Sequence, residues 1–298
     1  MERVGFIGLG TMGGPMAANL RRKQVPMVVH DLRAEATARL VALGAETADG
    51  VAAVARAADV VITMLPGPKE VAATIATILS EARPGMLVMD MSTVDPETTD
   101  AAAAACRAKE VAFVDAPVGR LSQHAERGES LFMVGAEAAD FARVRPLLEA
   151  MGTTIHHCGG PGAGTRTKLV NNLMTVCLCA LNAEALTLAS AFGLDLGTTL
   201  AVLNGTTAAN GQLSVNYPNK ALAGDLSPGF MIDLAHKDLS LILAAGNAAK
   251  VPLAATAAIR ELYSIARGAG RGRQDMTAVL DTLCDLAGVK APRQAPLP

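Results

Sequence analysis

The sequence predicts an α/β protein in which a mostly parallel sheet covered by helices is followed by an all-helical half. Three observations carry that expectation. Short β-rich runs alternate with helical segments up to about Thr154, a glycine turn joins the first run to the first helix, and no convincing strand follows Gly164. The strand candidates are residues 4–7, 27–30, 60–64, 87–90, 112–114, 131–134 and 154–157. Helical patterns then run over 165–192, 234–249, 254–267 and 276–287. We expect domains over 1–162 and 163–290, with a flexible, proline-interrupted tail over 291–298. The run GGPGAG at 159–164 falls at the boundary, where glycine lets the chain turn from sheet to helix.

With 298 residues and 51% apolar content, the chain can bury a full core. A formal net charge of -2 provides no basic field for a phosphate backbone, and 3% aromatic residues leave few stacking platforms. Both argue against a nucleic-acid partner. The most apolar stretch, 169–192, carries Asn171, Asn172, Asn182 and Glu184. A lone membrane helix rarely holds so many polar groups, so we read a long buried helix and expect no membrane partner. Met1 leads almost directly into the first strand, which leaves no room for a secretory leader; the expectation is a cytoplasmic protein. The cysteines Cys106, Cys158, Cys177, Cys179 and Cys284 include no CxxC pair and no metal-ligand spacing, so they read as reduced core thiols, with no metal. Cys177 and Cys179 lie about 200° apart on a helix, and the adjacent His156 and His157 of a strand point to opposite faces.

The glycine turn reads GLGTMG, with Gly8, Gly10 and Gly13 around Leu9, Thr11 and Met12. It lies between a strand and a helix. There, two glycines permit a tight bend and close backbone approach, and the third permits close helix–strand packing. The helix N-terminus then offers N–H groups to a pyrophosphate. The next strand ends at Asp31, an acceptor for an adenosine ribose. Together these predict a Rossmann-type dinucleotide site. Asp31 would repel the extra phosphate of NADP, partly offset by Arg33, so NAD is the expected cofactor. Further strand ends supply Met64-Leu65-Pro66 and Asp90-Met91-Ser92-Thr93 at the carboxyl edge, where open α/β sheets bind ligands.

On the long helix, Lys168, Asn171, Asn172 and Thr175 share an arc of about 100°. A lysine on such a polar face can hydrogen-bond a carbonyl oxygen while hydride arrives at carbon, then supply its proton to the alkoxide. The asparagines can orient substrate and lysine. The plainer alternative is a half-buried face against water or the other domain. A nicotinamide site upstream favours the acid, because aldehyde reduction needs a proton as well as hydride.

These motifs resemble the β-hydroxyacid dehydrogenase family over nearly the whole chain. The resemblance rests on GLGTMG at 8–13, the MLP turn at 64–66, Ser92-Thr93, and GAGTRTKLVNN at 162–172. It implies Lys168 as catalytic lysine and Asn172 as its support. It further implies that Gly8, Gly10, Thr11, Met12, Gly13, Asp31, Leu65, Pro66, Thr93 and Lys237 contact NAD. Residues Arg120, Ser122, Asn171, Asn172 and Thr175 are then substrate contacts. The substrate loop departs from the family's common DAPVSGG: Asp115-Ala116-Pro117-Val118 is followed by Gly119-Arg120-Leu121-Ser122, so arginine replaces a glycine. With SPGFMIDLAHKDL at 227–239 and GRGRQD at 270–275, that change is similar to the sulfolactaldehyde-reducing branch.

The resemblance therefore implies reduction of 3-sulfolactaldehyde to 2,3-dihydroxypropane-1-sulfonate. Arg120 offers a rigid, permanently charged fork for an anionic head group. A carboxylate can use that fork too, so semialdehydes of succinic, tartronic or methylmalonic type stay open. A binding module of dehydrogenase shape, without chemistry, is the alternative from another class; Lys168 and Asn172 beside a full cofactor fingerprint argue against it. The Ala- and Leu-rich helical half and the family resemblance lead us to expect a homodimer or homotetramer.

Overall fold

The computed structural model describes residues 2–294. The chain divides into two compact units, Met1–Leu169 and Val170–Pro298. By packing, this division falls at 169/170, inside a helix, whereas the composition changes at 162/163.

The first unit opens with β1 (Val4–Ile7), α1 (Gly13–Arg22), β2 (Met27–His30), α2 (Ala34–Val41), β3 (Glu46–Thr47), α3 (Val51–Ala57) and β4 (Val60–Thr63). It continues through α4 (Pro68–Ser80), β5 (Leu87–Asp90), α5 (Pro96–Ala108), β6 (Ala112–Asp115), β7 (Val118–Gly119) and α6 (Ser122–Glu126). The last elements before the long helix are β8 (Ser130–Gly135), α7 (Ala138–Met151) and β9 (Gly152–Gly159). The strands form one sheet in the order β3-β2-β1-β4-β5-β6-β8-β7, with β9 also paired to β8. Pairings are parallel except those of β8 with β6 and β7.

Both faces of this sheet are covered, which is why β1, β4 and β5 read as continuous apolar runs rather than alternating ones. Alternate residues serve opposite cores. Phe6, Ile62 and Met89 pack with Met16 and Leu20 of α1 and Leu148 of α7. Ile7, Val61 and Val88 pack instead with Val54 of α3, Ile75 of α4 and Cys106 of α5. The expected mostly parallel, doubly covered sheet is thus present. The two-residue strands β3 and β7 carry no detectable period and were not expected. Strand β9 begins earlier than the anticipated 154, and His157 within it stacks on Phe141 at 4.4 Å.

The long helix α8 (Ala163–Ala191) leaves the first unit and continues into the second. The second unit also holds α9 (Leu196–Asn204), α10 (Tyr217–Asn219), α11 (Ile232–Ala248), α12 (Ala254–Gly268) and α13 (Val279–Ala287). A π-helical turn at Gln212–Asn216 precedes α10, and the expected helix over 276–287 starts as a 3-10 turn at Met276–Ala278. Helix α8 is long and apolar enough to cross a membrane. Here it is a core element: Val176, Cys179, Ala183 and Leu186 are buried, and Tyr217 and Tyr263 donate to the carbonyls of Cys179 and Val176 at 2.8 and 3.0 Å. Asn182 and Asn210 exchange two amide hydrogen bonds, so this polar pair is satisfied internally.

At and beside the start of the expected tail, several groups are hydrogen-bonded. Ser190 Oγ donates to the Lys290 carbonyl at 2.7 Å, Arg293 pairs with Asp281, and the Gln294 N–H donates to Leu222 at 2.8 Å. Residues 295–298 of that expectation lie outside the described residues.

Candidate active site

The glycine turn after β1 is dictated by space. Gly8 adopts φ +92°, and a Cβ there would stand 2.2 Å from the Met64 carbonyl oxygen. At Gly13 a Cβ would meet the Gly8 oxygen at 2.0 Å. Gly10 is different: the nearest atom to its missing Cβ is an Arg33 nitrogen at 4.0 Å, so the backbone is open to a ligand. Helix α1 starts with no side-chain cap at Met12 and no acidic residue in its first turn. Its positive end is therefore not neutralised locally, which suits a pyrophosphate. Thr11 is exposed and Met12 half-buried on this turn.

At the end of β2, Asp31 is fixed beside the turn. Its carboxylate accepts the Leu9 N–H at 2.7 Å, the Arg33 N–H at 2.8 Å and Arg33 Nε at 3.2 Å. Burial alone would raise the pKa of this carboxyl, but the N–H groups of Arg33 and Leu9 and the guanidinium hold it below the ordinary value. An ionised, oriented carboxylate of this kind is what a ribose diol requires. These residues fit a nicotinamide dinucleotide.

The next two strand ends are tied together from beneath. Fully buried Asp90 accepts from Thr63 Oγ1 at 2.7 Å and Ser92 Oγ at 2.6 Å, while Ser92 Oγ accepts the Leu65 N–H at 2.9 Å. The turns carrying Leu65-Pro66 and Thr93 are thereby locked in register. Burial pushes the Asp90 carboxyl up, against the pull of its hydroxyl partners, and Asp115 on the neighbouring strand adds to the rise.

Lys168 is buried, and its Nζ donates to the Val118 carbonyl at 2.7 Å. Val118 begins the overhang beyond β6 that continues into Gly119, Arg120, Leu121 and Ser122. The ammonium and the expected substrate loop are therefore neighbours within the first unit. Arg120 occupies the left-handed region at φ +70°, costly for a residue with a Cβ. Its guanidinium is held by the Glu129 carbonyl at 2.6 Å and the hydroxyls of Thr153 and Thr154 at 3.1 Å each. Three of the five N–H groups are so used, and the side chain is anchored to β9. Ser122 opens α6, half-buried.

In the second unit the expected residues form their own network. Asn171 Nδ2 donates to Asn172 Oδ1 at 3.1 Å, and Asn172 Nδ2 to Asp238 Oδ2 at 2.6 Å. Lys237 lies 3.2 Å from Asp238 Oδ1. Thr175 is half-buried, one helical turn beyond Asn171 on α8. Asp90, Asp115 and Asp238 were not singled out as organising residues in the sequence. Two of them do end strands at the carboxyl edge, a signal that spacing alone could not separate from ordinary turns.

The geometry defines a nicotinamide-dinucleotide-dependent dehydrogenase, and comparison with known proteins agrees. Residues 3–160 match the NAD binding domain of 6-phosphogluconate dehydrogenase. Residues 162–283 match the NAD-binding domain of NADP-dependent 3-hydroxyisobutyrate dehydrogenase. The chain is 44% identical to 3-sulfolactaldehyde reductase of Escherichia coli K12, over 98% of this chain and 99% of that one. It is 37% identical to 2-(hydroxymethyl)glutarate dehydrogenase of Eubacterium barkeri, over 96% of each. The solved 3-hydroxyisobutyrate dehydrogenase of Mycobacterium tuberculosis with L-serine superposes with a TM-score of 0.90 at 31% identity, covering 95% of this chain and 99% of that one. The chain belongs to the β-hydroxyacid dehydrogenase family, of 3-hydroxyisobutyrate dehydrogenase type, and its cofactor is NAD.

Proposed function

We propose that this protein uses NADH to reduce 3-sulfolactaldehyde to 2,3-dihydroxypropane-1-sulfonate, reversibly, with Lys168 as acid and base. The observation that carries the reading is the Lys168 ammonium, buried against Val118 at 2.7 Å, beside the loop in which Arg120 stands for a glycine. Reduced NAD, when bound, supplies the hydride. Lys168 holds the proton at Nζ and gives it to the aldehyde oxygen as negative charge develops there; in the oxidative direction it takes the alcohol proton. Arg120 grips the anionic tail. Its strained backbone and its bonds to Glu129, Thr153 and Thr154 pre-orient the guanidinium, and two N–H groups remain for a sulfonate. Ser122, Asn171, Asn172 and Thr175 complete the proposed substrate contacts; Gly8, Gly10, Thr11, Met12, Gly13, Asp31, Leu65, Pro66, Thr93 and Lys237 are the proposed NAD contacts.

Asp31 supports preference for NADH over NADPH, since a second negative group beside its carboxylate is repelled. The 44% identity to a sulfolactaldehyde reductase supports the substrate and, with it, a role in cytoplasmic sulfoglycolysis. Within the second unit, α8 exposes Val170, Met174, Leu181 and Leu188 at near-heptad spacing, and Phe192 just past its end is exposed as well. Such a stripe supports a homodimer or homotetramer.

The test is a panel of aldehydes bearing sulfonate, carboxylate or no charge, assayed by NADH oxidation. The sulfonate is expected to have the highest kcat/KM. Arg120→Gly relieves the left-handed strain, so the variant should fold, and KM for 3-sulfolactaldehyde should rise about 10- to 100-fold with little change for uncharged aldehydes. Unaltered discrimination would defeat the clamp, and a carboxylated semialdehyde outperforming the sulfonate would defeat the substrate assignment.

A further inference from the structure

We infer that Asp115 is a positioning residue for Lys168, a carboxylate latch that fixes the first turn of α8 on the end of β6. The inference rests on the reading of Lys168 as the acid. Asp115 is buried, and its two oxygens each accept a backbone N–H from the start of the long helix: Oδ1 from Gly162 and Oδ2 from Thr165, both at 2.6 Å. Three residues beyond Asp115, Val118 accepts the Lys168 ammonium; three residues beyond Thr165 is Lys168 itself. The chain and these hydrogen bonds close a ring, with one rung at the backbone of Thr165 and the other at Nζ of Lys168. Rotation or sliding of the first helical turn strains one rung or the other.

The surroundings are shaped for this contact. A Cβ at Gly135 would stand 2.3 Å from Asp115 Oδ1 and 2.8 Å from the nitrogens of Ala163 and Gly164. A Cβ at Gly164 would stand 2.2 Å from the Met133 carbonyl oxygen and 2.8 Å from that of Asp115. Only with both side chains absent can helix and sheet end approach closely enough for the latch. Thr99 and Asp100 of α5 brace the same turn, through Thr165 Oγ1 at 3.0 Å and a paired contact to Arg166 at 2.8 and 2.9 Å. Those contacts set the turn's outer side; Asp115 sets the side that faces the substrate loop.

Asp115→Asn tests the idea, because an amide keeps the shape but presents an N–H₂ to one of the two N–H donors. Two readouts are taken: steady-state kinetics with NAD affinity, and the acylation rate of Lys168 in the protein without added substrate, followed by mass spectrometry with exposed Lys109 as internal control. The expected result is a kcat about 10- to 100-fold lower, the size of a misplaced catalytic group, with NAD affinity within about twofold of the parent. Lys168 acylation should rise at least about fivefold while Lys109 is unaffected. Thr165→Pro is the second variant: in the first helical turn, where proline is tolerated, it deletes the latched N–H together with the hydroxyl contact to Thr99, and it should reproduce both effects where Thr165→Ala, which loses only the hydroxyl, does not. Parental kcat and parental Lys168 acylation in folded Asp115→Asn or Thr165→Pro overturn the inference; so does failure of both to fold, which would make the contact purely structural. Near-parental kcat in Lys168→Ala would instead remove the acid assignment, while the acylation readout still reports on the latch.

Discussion

Replacing Lys168 by alanine is expected to lower kcat about 100- to 10,000-fold, the span of a lost general acid, in a protein that still binds NAD. The basis is positional. Hydride transfer to an aldehyde leaves negative charge on oxygen, and the ammonium held against Val118 is the described proton donor beside the loop that carries Arg120. The substitution also strands the Val118 carbonyl without its Lys168 partner, which costs about 1–3 kcal/mol of stability if the group stays dry. Single-turnover kinetics alongside thermal unfolding separate the two effects. Parental turnover in the folded variant would end the proposed mechanism.

The second large effect is expected at Gly13. An alanine Cβ would lie 2.0 Å from the Gly8 carbonyl oxygen and 3.2 Å from Met64 Cβ, so either α1 moves off the strand or the glycine turn opens. Overpacking of this kind costs about 1–3 kcal/mol, and the displaced turn should weaken NAD binding at least about tenfold. Gly14→Ala is the internal control, since its Cβ would approach the Leu9 oxygen only to 3.1 Å. Equal NAD affinity in the two variants, measured by fluorescence titration, would show that close helix–strand packing at Gly13 is not what shapes the pyrophosphate cradle.

Much of the fold was legible because its signals are local. Apolar runs at 4–7, 60–63 and 87–90, glycines at a strand-to-helix turn and Asp31 at the next strand end each follow from short-range physics. The doubly covered sheet follows from them. What escaped the sequence is non-local. Asp115 finds Thr165 across fifty positions and Asn172 finds Asp238 across sixty-six, and no spacing rule links such pairs. Strands β3 and β7 are too short to show a period of two. Around the expected tail, prolines remove periodicity, so the pairing of Arg293 with Asp281 and the bond from the Gln294 N–H to Leu222 leave no trace in the sequence. For Arg120, charge was evident from composition; that its guanidinium would be braced by two threonines and a carbonyl was not.

The cysteines have a practical consequence. Burial raises the Cys106 and Cys179 thiols to about 12 and lifts Cys177 and Cys284 as well, whereas Cys158 is half-exposed on β9. A buried thiol with a raised pKa is a poor nucleophile at neutral pH, so an alkylating probe meets the half-exposed Cys158 in the native state and the buried sulfurs only on unfolding. The protein thus carries its own conformational reporter: a maleimide dye marks a single edge-strand position remote in sequence from the glycine turn, and the appearance of further adducts clocks global opening of each variant without any added tag.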